Sequence, residues 1–195
     1  METEQVMQLF AGAGAYLRGH FRLTSGLHSG EYLQCALVLA RPALAERFGH
    51  EIAAALTPLL NGRKPDLVVS PAIGGLIIGH EVARSLGAAS LFTERDPNGA
   101  MTLRRGFTIE PGQTAVVVED VITTGGSTRE VIEIVHRSGA SVLAAASIVD
   151  RSNGQADLGV PRVALATLNP VAWKPEECPL CAAGEPVVKP GSRRV

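Results

Sequence analysis

The chain is poor in lysine. Only Lys64, Lys174 and Lys189 occur among its 18 basic residues, so arginine carries almost all of the positive charge. A net field is missing as well: 18 basic and 19 acidic residues leave −1 at pH 7. Such a balance gives no general attraction to nucleic acid or to an anionic membrane. Long apolar runs are absent too. Uncharged apolar stretches such as 138–149 are too short to cross a bilayer. The opening METEQVMQLF has two glutamates but neither the basic flank nor the apolar core of a secretory leader. Three cysteines, an odd number, make no disulfide framework. Two common phosphate motifs also fail. No lysine follows Gly125-Gly126 as a P-loop requires, and Gly12-Ala13-Gly14 reaches Leu17 where a dinucleotide fingerprint needs glycine. The expectation is a cytoplasmic protein with no membrane and no nucleic-acid partner.

What is present is a globular composition, 46% hydrophobic and 19% charged over 195 residues. That suffices for one domain with a sizeable core and a small appendage. Val6, Leu9, Phe10 and Ala13 are spaced for one face of an N-terminal helix. Residues 32–39 read as the strand-like end of a segment dense in glycine and hydroxyls. Residues 41–60 read as a helix, with Pro42 in the first turn and Leu44, Phe48, Ile52, Ala55 and Leu56 inward. From residue 66 strands (67–70, 88–92, 115–118, 141–149, 162–168) alternate with helices (75–86 and the segment after 126). This implies an α/β protein with a parallel sheet flanked by helices. The proline-rich end, 174–195, reads as an irregular, peripheral tail.

The stretch 115–128, AVVVEDVITTGGST, carries the densest chemistry. A β-branched run reads as a buried strand. The acids Glu119 and Asp120 follow at its end, then a loop of hydroxyls and glycines (Thr123, Thr124, Gly125, Gly126, Ser127), then a helix with Val131, Ile132, Ile134 and Val135 on its apolar face. Glycines bare backbone N–H groups, and a helix N-terminus adds its dipole, so the loop suits a phosphate monoester. The acids would repel that phosphate; their partners are ribose hydroxyls or a hard cation. Phosphate beside vicinal hydroxyls describes a ribose 5-phosphate. An ordinary βα turn capped by Ser127 is the plainer alternative, and two adjacent acids at the strand end argue against it. Ser70-Pro71-Ala72-Ile73-Gly74-Gly75, between another strand and helix, is a second candidate anion loop. Arg95, Arg104 and Arg105 lie on a polar, turn-rich segment, 94–106, broken at Asp96-Pro97-Asn98-Gly99. Arg151 closes a strand at Asp150. Cys178-Pro179-Leu180-Cys181 has the spacing of half a zinc site without a second pair, so metal or redox use is not expected of it.

VVVEDVITTGGS resembles the phosphoribosyl pyrophosphate (PRPP) signature of the type I phosphoribosyltransferases. The segments FRLTSGLHSGEYLQ and MTLRRGF are similar to one branch of the orotate phosphoribosyltransferases. The resemblance implies the type I fold with a small N-terminal hood, mainly 1–40, within a single domain 1–195. It implies transfer of ribose 5-phosphate from PRPP to orotate, giving orotidine 5′-monophosphate and pyrophosphate. Residue by residue, it implies PRPP contacts from Glu119, Asp120, Val121, Ile122, Thr123, Thr124, Gly125, Gly126 and Ser127. Pyrophosphate would lie on Ala72, Ile73, Gly74 and Gly75. Orotate contacts would come from Thr123, Arg151, Ser25, Gly26 and Tyr32, and charge neutralisation from the mobile-loop arginines 95, 104 and 105. Many members carry lysines and a histidine in that loop, and a lysine at the position of Thr24; this chain has none there. Mg²⁺ would arrive with PRPP without dedicated protein ligands, and the protein would be a two-fold homodimer with shared sites. Two alternatives are a purine phosphoribosyltransferase, disfavoured by Arg151, and a non-catalytic PRPP-sensing regulator, disfavoured by the charge balance.

Overall fold

In the computed structural model of the protein, which describes residues 1–23 and 25–190, β-branched runs become strands and the amphipathic stretches between them become helices. Helix α1 (Thr3–Gly12) leads into a hairpin of β1 (Tyr16–Arg22) and β2 (His28–Leu33), a short α2 (Cys35–Leu39) and the long α3 (Pro42–Leu60). Then follow β3 (Leu67–Pro71), α4 (Gly75–Leu86), β4 (Ala89–Arg95), β5 (Met101–Leu103), β6 (Thr114–Ile122), α5 (Gly126–Arg137), β7 (Ser141–Asp150) and β8 (Arg162–Thr167). A two-residue β9 (Ala172–Trp173), a 3₁₀ turn (Pro175–Glu177) and α6 (Pro179–Ala182) come last.

Six strands form the main sheet in the order β5-β4-β3-β6-β7-β8. All of its pairings are parallel except β4 with β5. Because side chains alternate along a strand, each central strand feeds two cores. Val68, Val116, Val118, Ala144, Ala146 and Ile148 join Val6 and Phe10 of α1, Phe48, Ile52 and Leu56 of α3, and Ile78 and Val82 of α4. The intervening Leu67, Val69, Ala115, Val117 and Ala145 join Val131, Ile132 and Val135 of α5. A sheet covered on both faces explains the continuous apolar runs, and each fully buried Val or Ile contributes about 1.5–3 kcal/mol. The chain leaves β3 outward to β4, returns to β6, and leaves outward again to β7. The β3/β6 boundary is therefore the point where strand order reverses, and ligand crevices of open α/β sheets lie outside the strand ends at such a point.

A second sheet, β1-β2-β9, forms the hood. Two expectations change here. Residues 32–39 are not one strand: β2 stops at Leu33, and Cys35, Val38 and Leu39 bury themselves from a helical turn. The end of the chain is less peripheral than its prolines imply. Ala172 and Trp173 pair with Ser29 and His28 of β2, Val188 bridges to Phe21, and Cys178 is buried. Backbone pairing from β1 and β2 overrides local composition; residues 191–195 of the expected tail lie outside the described residues.

Candidate active site

The acid pair sits at the carboxyl end of β6, at the strand-order reversal. Asp120 is half-buried. Burial pushes its carboxyl above the ordinary range, opposed by hydrogen bonds to the ionised form. One of these is the Val121 N–H, donated to Oδ1 at 2.9 Å. The carboxylate faces the 72–75 loop so closely that a Cβ on Gly74 would lie 2.6 Å from Oδ1. Only glycine permits the two loops to approach this way. Glu119 accepts a hydrogen bond from the buried Thr128 hydroxyl on α5, which holds it at the mouth of the loop.

Gly125 has φ 76°, and a Cβ there would lie 2.6 Å from Leu158 Cδ2. The left-handed backbone favours glycine, and any side chain would also have to displace the Leu158 methyl. The turn delivers the chain into α5, whose first residues are Gly126 and Ser127. Helix α5 has no side-chain cap, so the reading of Ser127 as N-cap does not apply; Ser127 lies inside the first turn and faces the crevice. The first-turn N–H groups have no intrahelical partners and form an anion site with the dipole behind them. Arg129 braces the loop from outside, donating to the carbonyls of Thr124 (2.9 Å) and Asp157 (2.8 Å).

Three cavities join end to end here. One of about 560 Å³ is lined by Ala72, Ile73, Gly74, Arg95, Glu119 and Ser127. The next, about 410 Å³, shares Arg95, Glu119 and Ser127 and adds Ser25, Val121 and residues 123–126. The third, about 520 Å³, shares Ser25, Thr123 and Thr124 and adds Arg151, Gln155, Pro170 and Ala172. The trough thus runs from the 71–74 loop, past Glu119 and the α5 N-terminus, to Arg151 under the hood; Asp120 lies beside it, against Gly74.

Most of the residues singled out in the sequence meet along this trough, with distinctions. Ile122 is buried, its side chain in the α5 core, so any contact to ligand must come from its backbone. Gly75 is also buried, against Ser70 and the Val118 carbonyl. Gly26 lines none of the three cavities; it shapes the turn, its N–H donating to Leu23 O at 3.0 Å. Tyr32 stands within electrostatic reach of Asp120 and Arg151, and burial raises its hydroxyl pKa. Thr24 lies outside the described residues.

Arg151 is half-buried, and burial lowers its pKa from the ordinary guanidinium value. Among the described residues it makes no ion pair, because neighbouring Asp150 is claimed by Arg162. Asp150 is 1% exposed. Burial alone would raise its carboxyl, but hydrogen bonds from Ser152 and Arg162 bring it below the ordinary range. The strand-end salt bridge therefore exists but leaves Arg151 available.

The segment 94–106 is more ordered than its turn-rich composition suggests: Thr93, Glu94 and Arg95 pair with Leu103, Thr102 and Met101. Arg95, inside the main sheet, holds Glu130 of α5 in a fork (3.0 and 3.1 Å) and reaches the trough. Arg105 forks onto Glu94 (2.7 and 2.8 Å) within its own hairpin. Arg104 is exposed and makes no ion pair among the described residues. The three arginines therefore differ, and the sequence alone could not rank them. Sequence reasoning also missed Gln155, Arg129, Glu130, Pro170 and Ala172; the charge of Glu130 at helical spacing was the only available signal.

Comparison with known proteins agrees with this geometry. The sequence profile of the phosphoribosyl transferase domain matches residues 43–179. The chain is 51% identical over 193 residues to the orotate phosphoribosyltransferase of Heliobacterium modesticaldum, covering 99% of this chain and 100% of that one. It is 53% identical over 195 residues to the orotate phosphoribosyltransferase of Pelotomaculum thermopropionicum, covering 100% of both. The crystal structure of orotate phosphoribosyltransferase from Aeropyrum pernix superposes with TM-score 0.69 at 27% identity, over 84% of this chain and 93% of that one.

Proposed function

The chain belongs to the orotate phosphoribosyltransferases, within the phosphoribosyl transferase domain family, and from that premise we propose how its own residues carry the reaction. The enzyme transfers ribose 5-phosphate from PRPP to orotate in pyrimidine biosynthesis. In our reading residues 1–195 act as one catalytic domain, with the hood supplied mainly by 1–40.

The 5-phosphate rests on residues 123–127, where glycine backbone and hydroxyls donate and the α5 dipole adds to them. Glu119 and Asp120 take the ribose hydroxyls and face the anomeric carbon, where positive charge grows as its bond to pyrophosphate breaks. The bonding pair leaves on pyrophosphate, held by residues 72–75 with Arg95 above them. Orotate, entering deprotonated at N1, supplies the pair that forms the new C1–N1 bond, so no protein base is required. Arg151 pairs with the orotate carboxylate, with Ser25, Tyr32 and Thr123 about the ring. The donors are in place before charge develops, which is where such contacts act most strongly. The observation that carries this assignment is the continuous trough that joins an anion site, Glu119 of the acid pair and the Arg151 guanidinium, which makes no ion pair among the described residues.

The donor set fits Mg²⁺ entering with PRPP, since carboxylate oxygens of Glu119 and Asp120 adjoin the pyrophosphate loop and hard cations take oxygen ligands. When bound, the cation neutralises charge on the leaving pyrophosphate. A homodimer in which residues 94–106 complete the partner's site also belongs to this reading. It is supported by Arg104, which makes no ion pair among the described residues, and by Ile73 in the trough lining and Ile77 on α4, apolar side chains 73% and 46% exposed. No helix among the described residues is long and apolar enough to cross a membrane, and we assign the enzyme to the cytoplasm. The test is pyrophosphate release from Mg²⁺-PRPP with orotate, uracil, adenine, hypoxanthine and xanthine in parallel. Turnover with orotate alone is expected; turnover with a purine and none with orotate would overturn the assignment of the base.

A further inference from the structure

Four side chains outside the trough converge between the hood and the end of the chain. His20 on β1 and His28 on β2 face each other, Nε2 to Nδ1 at 2.8 Å. Cys178 and Cys181, at the start of α6, place Sγ 3.5 and 3.6 Å from His20 Nε2. Cys181 Sγ is also 3.2 Å from His28 Nδ1. The four ligand atoms all lie within 4.8 Å of one another; His20, His28 and Cys178 are buried and Cys181 is exposed.

The proton count is awkward for these groups alone. His20 Nδ1 lies 2.8 Å from the carbonyl oxygen of Glu185. A carbonyl only accepts, so Nδ1 carries the proton and donates it. One lone pair then remains on Nε2, and His28 Nδ1 and both thiols crowd against it. A single lone pair cannot accept three donors. A cation at the centre removes the conflict, because it takes the Nε2 lone pair, the Nδ1 lone pair of His28 and two thiolates. The Glu185 carbonyl is then the outer partner that fixes the tautomer of a ligating histidine. Tetrahedral zinc, with bonds of about 2.3 Å to sulfur and 2.0–2.1 Å to nitrogen, needs ligand atoms roughly 3.3–3.8 Å apart. Three of the four sulfur–nitrogen separations, 3.2–3.6 Å, already approach this, and the remaining pairs, all within 4.8 Å, adjust by small side-chain shifts. Two thiolates with two imidazoles select zinc over the hard cation of the active site.

We propose that His20, His28, Cys178 and Cys181 bind a zinc ion that clamps the C-terminal segment onto the hood and fixes the turn lining the base end of the trough. His20 and His28 stand on the two stems of that turn, and Leu23, Ser25 and Leu27 within it line the cavity that holds Arg151. The ion ties segments about 150 residues apart in sequence, where a cross-link removes much chain entropy. It also accounts for a proline-rich segment that folds back beside β2 instead of leaving it.

The experiment uses the untagged full-length enzyme. Elemental analysis is expected to give about one zinc per chain. Cobalt(II) exchanged into the chain should show the visible bands of tetrahedral cobalt with thiolate charge transfer. Cys181→Ser, at an exposed position, should keep the fold by circular dichroism, lose most of the bound zinc and weaken the charge-transfer band. A nitrogen chelator that takes zinc and leaves Mg²⁺ should lower the Tm and raise the orotate KM several-fold, with both restored by added zinc. Folded enzyme that neither carries zinc nor takes up cobalt overturns the site. So does metal retained by the double variant Cys178→Ser/Cys181→Ser, or a native Cys178–Cys181 disulfide found by mass spectrometry after alkylation. An orotate KM unchanged in zinc-free enzyme would overturn the clamp on the base end.

Discussion

Two parts of the trough are built in opposite ways. In the proposed reading the 5-phosphate end of the sugar rests on one continuous strand, loop and helix, residues 114–137, whose backbone and hydroxyl donors the local conformation alone places. The base end is gathered from the hood turn at Ser25, the end of β7 at Arg151, and Gln155, Pro170 and Ala172. A site built locally needs the right residues in order; a gathered site also needs the frame that brings its parts together. Disturbing the first should remove binding of the shared phosphosugar, whereas disturbing the second should change only how the base is held.

The largest effect is expected from Gly125→Val. A β-branched residue at φ 76°, with Leu158 Cδ2 only 2.6 Å from its Cβ, cannot keep the turn. Calorimetry should find binding of both PRPP and ribose 5-phosphate lost, with no measurable turnover. Tight PRPP binding to this variant would show that the phosphate does not rest on the loop.

Asp120→Asn separates chemistry from binding within that same end. Removing a charge that faces the developing cation should lower kcat about 10²–10³-fold while ribose 5-phosphate still binds. Stability should move the other way. Burial raises the folded-state pKa of Asp120, so the folded state favours its protonated form. That contribution is fully present below the unfolded value and lost as pH rises through the raised folded one. At neutral pH the ionised carboxylate therefore costs stability, and the neutral Asn variant should show a higher Tm at pH 7 and a smaller gain at acid pH. A lower Tm at pH 7 would mean that Asp120 is held by favourable contacts rather than tolerated for catalysis.

Arg151→Ala should affect only the gathered end. A lost charge-assisted pair costs about 2–5 kcal/mol, and the half-buried setting favours the lower figure, roughly a 30-fold rise in orotate KM. The PRPP KM should stay near wild type. An unchanged orotate KM in steady-state assays would make Arg151 structural and weaken the distinction between the two ends.

The smallest effect is expected at Arg105. Its fork onto Glu94 is exposed at the guanidinium and screened by solvent, so Arg105→Ala should leave the Tm nearly unchanged in thermal unfolding. Turnover separates two readings of the hairpin. If Arg95 is the arginine that faces pyrophosphate, kcat should fall in Arg95→Ala and hold in Arg105→Ala; the opposite order would move the role to the hairpin's outer half.

What the sequence determined by itself was whatever lies close together in the chain. The order of strand, acids, hydroxyl-glycine loop and helix could be read from residues 115–128, because backbone geometry and a helix N-terminus act over a few residues. The parallel sheet followed from the alternation of runs, but β4 extends to Arg95 and pairs with an antiparallel β5 in the segment read as turn-rich, and β2 stops at Leu33 where a strand was expected to continue. The tertiary structure decided which charges remain for a substrate. Arg151 is available because Arg162, from the neighbouring strand, takes Asp150. Arg95 is separated from Arg104 and Arg105 by its fork with Glu130, 35 residues away. Of the four side chains His20, His28, Cys178 and Cys181, only the two cysteines showed in sequence, as half a motif, since the proximity of all four depends on the end of the chain pairing back onto β2. Pairings between remote segments depend on the whole core that closes the loop between them, and no local pattern of residues carries that information.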